Sequence, residues 1–536
     1  MQAAATATTP ASDIDHAAMT TLGAIPAYFA KDRPHRIATH FAGRDTSWAE
    51  LDARANRVAN ALIAAGLEPG DRVAFIGKGS DEFFELLFGA SRAGAVVVPI
   101  VWRLASPEIT GITTDCDAKF LFIAPDQFDR IDSFRSDLPG VTLIGLEDGG
   151  PLPRFATWRD AASDHPPGVS VDPSQVALQL YTSGTTGQPK GVMLTHANLL
   201  RGRTQAAERK MDWNEWEPHD VNLVPLPMGH IGGVGWAMVG YFNGAKTVVQ
   251  PEFLPDQVLS AIEHQGVTKL FLVPTALHML LMHPRVREID YSHLRYILYG
   301  ASPIALDLLK QATEVFGCGF CQQYGATETC GTIVYLPPED HDPAGNQRMR
   351  GAGLPMPGVE LRITDRDGSI LPPHEIGEIE TRSVANMAGY WKQDRQTAEV
   401  LNDEGWFKTG DAGYLDEDGY LYIADRFKDM ICTGAENVYP NEVENAIFGH
   451  PAVLEVSVIG VPDDRWGEAV KAVVVLKPGA EATQDDIIAF ARTRIGGFKV
   501  PKSVDFVAAL PRNATGKILR RALRDPYWEG RERQIN

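Results

Sequence analysis

From residue 46 onward, apolar and polar positions alternate between a helical period and short buried runs. Ser47 and Glu50 have the spacing of a capping box; Leu51, Ala55, Val58 and Leu62 then follow at helical period until Gly66 stops the run. Residues 71–77 read as a buried strand and 80–92 as a second helix, with further buried strands at 95–101 and 119–124. The alternation continues through strands at 246–249, 269–273 and 296–299. Helices between buried strands imply crossover connections and mostly parallel sheets, an α/β class. After about residue 425 the pattern changes: strands at 454–460, 469–476 and 504–510 surround one helical run, 484–494. That is enough for a small separate α+β domain at the C-terminus.

Composition adds exclusions. The 536 residues carry 50 Lys+Arg and 69 Asp+Glu, a net charge of 50 − 69 = −19, which speaks against a nucleic-acid surface. Residues 1–20 contain no Lys or Arg and no apolar core, so they do not read as a secretory signal. The longest apolar stretch, 271–282, is interrupted by Pro274 and His278 and falls well short of the roughly 20 residues a membrane span needs. Five cysteines form an odd, sparse set of the kind found in a reducing compartment, so a soluble cytoplasmic protein is expected.

The densest chemical signal is YTSGTTGQPKG, Tyr181 to Gly191, directly after the apolar run 176–180. Glycines let backbone N–H groups turn toward an anion, Thr182, Ser183, Thr185 and Thr186 add hydroxyl donors, and Lys190 adds a charge. Such a segment suits a polyphosphate; the alternative is a flexible Ser/Thr/Gly turn. It is not the Walker pattern, because Gly191 stands where a metal-binding Ser or Thr would follow the lysine.

TSGTTGQPKG resembles the phosphate loop of the adenylate-forming superfamily, which comprises acyl-CoA synthetases, adenylation domains of peptide synthetases and luciferases. YGATE (324–328), GWFKTGD (405–411), DRFKD (425–429), GAENVYP (434–440) and PRNATGK (511–517) follow in the family's order. The resemblance covers residues 20 to 525. It implies a large N-terminal domain, 1–427, binding ATP and acid, and a small mobile C-terminal domain, 428–536, hinged at Lys428. It also implies ATP and coenzyme A as substrates and Mg2+ as cofactor.

By that resemblance, Thr182, Ser183, Gly184, Thr185, Thr186, Gly187 and Lys190 cradle phosphates, and Glu328 with Thr182 holds Mg2+. Gly300, Ala301 and Ser302 form the adenine-side wall together with Tyr324, Gly325 and Thr327; Tyr324 stacks on adenine or is plain core. Asp411, with Arg426, binds the ribose. Lys517 bridges carboxylate and α-phosphate, where an ammonium offsets the charge developing as two anions meet. Its acetylation would remove that charge. Gly434, Ala435 and Glu436 border the pantetheine tunnel, and Ala435 replaces a common second glycine.

The segment 224–241 resembles the acid-pocket wall, with His230 at the gating position. Gly229 stands where many members carry an aromatic, and with Gly232 it suggests extra room. A large apolar acid is therefore expected, a long-chain fatty acid or a bulky polycyclic or terpenoid acid. Trp236, Tyr299 and Ile333 are candidates for the same wall, with core positions as the alternative.

Cys318 and Cys321, with Cys330 nearby, lack the further ligands of a zinc site and read as buried thiols. His278 and His283, five residues apart, do not share a helix face, and the 233–240 glycines miss the dinucleotide spacing. The leading function is an AMP-forming carboxylate–CoA ligase. The alternatives are loading of a separate acyl-carrier protein, a luciferase-type oxygenase and a non-enzymatic nucleotide-binding module. The oligomeric state is left open, with a homodimer among the options.

Overall fold

The computed structural model describes residues 14–146, 150–183, 189–426, 429–433, 436–463, 465–512 and 517–529. The first predicted helix is Trp48–Ala64, and its capping box is formed: Ser47 Oγ accepts from the Glu50 N–H at 3.3 Å, and the Glu50 carboxylate accepts from the Ser47 N–H at 2.8 Å. Its buried face carries Leu51, Ala55, Val58 and Leu62, the positions that the periodicity picks out, together with Trp48.

Two large sheets make the body. One has seven strands in the order Gly389–Tyr390, Pro189–Thr195, Val176–Ser183, Val96–Ile100, Arg72–Ile76, Ala118–Ile123, Thr142–Gly145, and the last five are mutually parallel. The other has nine strands, of which Ile37–Phe41, Lys246–Val249, Val221–Val224, Lys269–Leu272, Tyr296–Gly300 and Gly319–Ala326 are successively parallel. The antiparallel additions lie at the edges, as in many doubly wound sheets.

A third sheet departs from the sequence-based expectation. It is wholly antiparallel, with strands Glu360–Thr364, Gly377–Arg382, Trp406–Leu415 and Leu421–Arg426. Its strands are rich in charged residues, and buried Glu380 is tied to Arg362 and Thr364. Hydrophobic periodicity is a poor guide to strands of this kind.

From residue 431 a five-stranded sheet has a core of its own, in which Val458, Val470 and Val474 pack with Val443, Ile447, Ile487 and Ala491. The expected helix is Gln484–Arg492, but Pro440–Phe448 packs into the same core and a short helix, Arg520–Arg524, follows, so the reading of one helical run is corrected to three among the described residues. Proline at the first helical position starts Pro440–Phe448 where the sequence reads as a loop. This unit meets the body at His278, whose ring lies 6.5 Å from that of Phe448, and through Arg520. The Arg520 guanidinium bonds Asp425 at 2.9 Å, Glu444 at 2.7 Å and Asn441 at 2.6 Å. Those partners hold it protonated despite burial.

Candidate active site

Strands Val176–Ser183 and Pro189–Thr195 run antiparallel with Thr182 opposite Lys190, so they present the two ends of the glycine-rich loop side by side. Gly184, Thr185, Thr186, Gly187 and the Ser183 side chain lie outside the described residues. Lys190 Nζ stands 4.7 Å from the ring centre of Tyr390. Tyr390 is fixed in the short strand that pairs with Val192 and Met193. Its hydroxyl donates to the Glu328 carboxylate at 3.0 Å. Glu328 comes from the other large sheet, in the 3-10 turn Thr327–Thr329, and its main-chain carbonyl accepts from the Met387 N–H at 2.7 Å. Burial and the Glu328 charge both push the Tyr390 phenol above its ordinary range. Tyr390 thus links the lysine and the carboxylate that the motifs single out. Sequence reasoning missed it; the adjacent Gly389-Tyr390-Trp391 offers only an aromatic pair after a glycine.

The pair expected to hold the ribose is equally local. Tyr324 donates its hydroxyl to Asp411 at 2.8 Å, and Asp411 pairs in register with Arg426, whose side chain lies outside the described residues. Gly300 ends the strand Tyr296–Gly300, Ala301 and Ser302 follow it, and Ala301 takes φ +67°. A Cβ at Gly300 would lie 2.0 Å from the Gln323 carbonyl oxygen, and one at Gly325 would lie 1.7 Å from that of Gly331. At both positions the neighbouring strand demands glycine. Thr327 keeps partial exposure in the turn ahead of Glu328.

In the segment expected to line the acid pocket, His230 immediately precedes the helix Ile231–Phe242, and its Nε2 is sealed from solvent without a partner. Burial lowers its pKa to about 4, so the imidazole is neutral at physiological pH. Gly232 has ordinary clearance, with Phe271 at 3.4 Å and Leu226 at 3.8 Å from a Cβ placed there. Gly229 has none: a Cβ would meet Val101 Cγ2 at 2.8 Å and the Val101 nitrogen at 3.0 Å. The missing aromatic therefore leaves no vacant room at Gly229, because the backbone of Val101 has closed onto it. Trp236, Tyr299 and Ile333 are all buried. Trp236 donates to the Leu223 carbonyl at 3.0 Å, Tyr299 shares a hydrogen bond with His341 at 3.0 Å, and Ile333 is packed among Ile363, Ile379 and Leu421.

Lys517 is exposed, as is Glu436, while Lys428, Gly434 and Ala435 lie outside the described residues. No group of three His, Cys, Asp or Glu among the described residues is spaced to cage a metal. Mg2+ commonly takes one or two carboxylates and completes its shell with water and substrate phosphates, so the partly exposed Glu328 carboxylate is a donor that fits it. Burial pushes the Cys318 thiol up to about 12 and Cys321 above its ordinary range, which leaves both as inert neutral thiols. Among the described residues, no helix is long and apolar enough to cross a membrane.

Comparison with known proteins places this geometry. Residues 27–391 match the AMP-binding enzyme family, and residues 442–517 match the AMP-binding enzyme C-terminal domain. The fatty acid–[acyl-carrier-protein] ligase ScoC of Streptomyces coeruleorubidus is 41% identical over 98% of this chain and 99% of its own. A feruloyl-CoA synthase of an Amycolatopsis species is 39% identical over 94% of this chain and 98% of its own. The crystal structure of ATP-bound MatB from Rhodopseudomonas palustris superposes with a TM-score of 0.85 at 34% identity, covering 95% of this chain and 99% of that one.

Proposed function

Because the chain belongs to the AMP-binding enzymes and is a carboxylic acid ligase of the adenylate-forming acyl-CoA synthetase family, we propose that it joins an acid to AMP and then passes the acyl group to a pantetheine thiol. The supporting observation is the meeting of Lys190, Tyr390 and Glu328 at the edge of two sheets. In this reading Lys190 and the flanking loop bind the β- and γ-phosphates of ATP. Glu328 would hold Mg2+, which when bound neutralises charge on the departing pyrophosphate. Asp411 accepts from the ribose hydroxyls, with Tyr324 holding its carboxylate in place. The acid arrives ionised, so its oxygen attacks the α-phosphorus without a general base, and neutral His230 lets it approach without a charge of its own. Lys517 would stabilise the transition state as the small domain, 428–536, closes over the site about Lys428.

We assign the acid an apolar body, on the grounds of Phe271 and Leu226 beside Gly232. The acceptor we assign first is coenzyme A. A carrier-protein thiol is the second reading, favoured by the 41% identity to ScoC across 98% of the chain. Acid-dependent exchange of pyrophosphate into ATP tests the first step; its absence with every acid in a broad panel would refute it. Thioester formation with free coenzyme A, compared with a holo carrier protein, decides the second.

A further inference from the structure

An ion cluster joins the body to the C-terminal unit close to position 428. Asp425 lies in the strand Leu421–Arg426, in register with Ala412 and one residue from the pairing of Arg426 with Asp411. Its side chain is 2% exposed, and both of its oxygens accept from the C-terminal unit. Oδ1 takes a hydrogen bond from Arg520 Nη1 at 2.9 Å. Oδ2 takes one from the Asn441 N–H, also at 2.9 Å, in the first turn of the helix Pro440–Phe448. The rest of the guanidinium is held by its own unit: Nε and Nη2 donate to the two Glu444 oxygens at 3.2 and 2.7 Å. Glu444 is fixed in turn by the Val458 N–H at 2.8 Å. Asp429 lies 3.7 Å from Arg520 Nη1, so one side chain ties together carboxylates on both sides of residue 428.

Arg520 also stands at the base of the segment that ends in Lys517. Ile518 bridges Arg512, and the Leu519 N–H donates to the Pro511 carbonyl at 2.8 Å, so the two ends of the segment meet and Arg520 is the next residue out. Arg512 ties the other end to Glu455, in the strand Val453–Asp463, at 2.6 Å. Lys517 precedes Arg520 by three residues, a span of at most about 11 Å. The base is therefore anchored twice, by Arg512 to its own unit and by Arg520 to the strand beside Asp411. A buried ion cluster adds little net stability over apolar packing. Its bonds are directional, however, and a forked guanidinium satisfies Asp425 and Glu444 together in one placement only.

We propose that Arg520 is a positioning residue for the first half-reaction: by gripping Asp425 it seats the Lys517 segment against the strand that carries the pair expected to hold the ribose. The inference rests on the adenylation reading above and on the part Lys517 takes in it, and it adds the side chain that sets the reach of that lysine. Small displacements of a catalytic group cost rate steeply, so losing the grip lowers adenylation even when the lysine itself is intact. Transfer of the acyl group to a thiol does not use Lys517 in that reading and does not need the grip.

The test measures the two half-reactions separately in full-length Arg520→Met, Arg520→Lys and Asp425→Asn, each first shown to be folded by circular dichroism. Pyrophosphate exchange with the fastest acid of a panel that includes dodecanoate and phenylacetate reads the first. Thioester formation from the preformed acyl-adenylate, with whichever thiol wild type uses, reads the second. Arg520→Met is expected to lower kcat for exchange at least tenfold while KM for ATP stays within threefold, because Lys190, Tyr324 and Asp411 are untouched. Transfer should stay within twofold, so the ratio of exchange to transfer falls at least fivefold. Arg520→Lys, which keeps the charge without the fork, should recover part of that ratio, and Asp425→Asn should add nothing in the Arg520→Met background. A ratio within fivefold of wild type in Arg520→Met, or additive losses in the double variant, would overturn the inference and leave adenylation standing. Should Arg520→Met not fold, Asp425→Asn alone decides, with a ratio within twofold of wild type counting against the grip. Absence of exchange in wild type with every acid would instead remove the adenylation reading, and unchanged exchange in Lys517→Ala would remove the role of that lysine.

Discussion

Tyr390→Phe isolates one atom of the site. The substitution keeps the ring 4.7 Å from Lys190 and deletes the 3.0 Å hydrogen bond to Glu328. A hydrogen bond to a charged group contributes roughly 1.5–3 kcal/mol, or about 10- to 150-fold in an equilibrium or a rate. Glu328 is only partly buried, so water can replace the lost donor, and the low end, about tenfold, is the working figure. The loss should fall on the metal-dependent step, because the hydroxyl orients the carboxylate proposed to hold Mg2+. Pyrophosphate exchange measured against Mg2+ at saturating ATP should show about tenfold lower kcat and a higher half-saturating Mg2+ concentration. Tyr390→Leu, which also removes the cation–π contact, should cost a further ~0.5–1 kcal/mol, roughly two- to fivefold. Exchange in Tyr390→Phe within twofold of wild type, with unchanged Mg2+ dependence, would refute the reasoning.

Lys517→Ala should nearly abolish adenylation while thioester formation from preformed acyl-adenylate continues; equal loss of both steps would contradict its role. Gly229→Ala should lower stability by about 1–3 kcal/mol through overpacking against Val101, whereas Gly232→Ala should cost less than about 1 kcal/mol; urea unfolding compares them. His196, His230 and His341 are each held at a pKa of about 4 by burial, against 6.5 for the free side chain. Between pH 6.5 and 4 the unfolded chain therefore binds more protons. Stability should fall as pH drops through that window, by about 1.4 kcal/mol per pH unit for each histidine fully engaged. His196→Gln should lower that slope by one histidine's share in urea titrations at pH 7, 6 and 5.

The legible parts of the sequence were those in which one physical signal dominates. Ser47 and Glu50 announce a helix start because two backbone N–H groups need acceptors there, and the buried parallel strands announce themselves as unbroken apolar runs. The antiparallel sheet of 360–426 stayed hidden because its strands carry charges that are paired within the fold, such as Arg362 with Glu380. The site divides in the same way. Motif residues Lys190, Glu328, Tyr324 and Asp411 come together in two local pairs of contacts, but their connector Tyr390 carries no chemistry until a fold sets it between them. A glycine misleads for a related reason. Gly229 reads as space for a ligand, yet the place a Cβ would take is filled by Val101, a contact between segments far apart in the chain.

Lys190 and Glu328 hang from different sheets, and among the described residues Tyr390 is the side chain that touches both. A polyphosphate gripped by the lysine on one side and by the carboxylate's metal on the other would act as a fastener between the two halves of the body. Nucleotide would then do more than occupy a pocket. At a hundred times its Kd it adds about 2.7 kcal/mol to the folded state, and that increment is concentrated where the halves would first part. Residues 189–195 and 387–391 are accordingly where MgATP should slow amide exchange most, turning a substrate into a clamp on the scaffold that binds it.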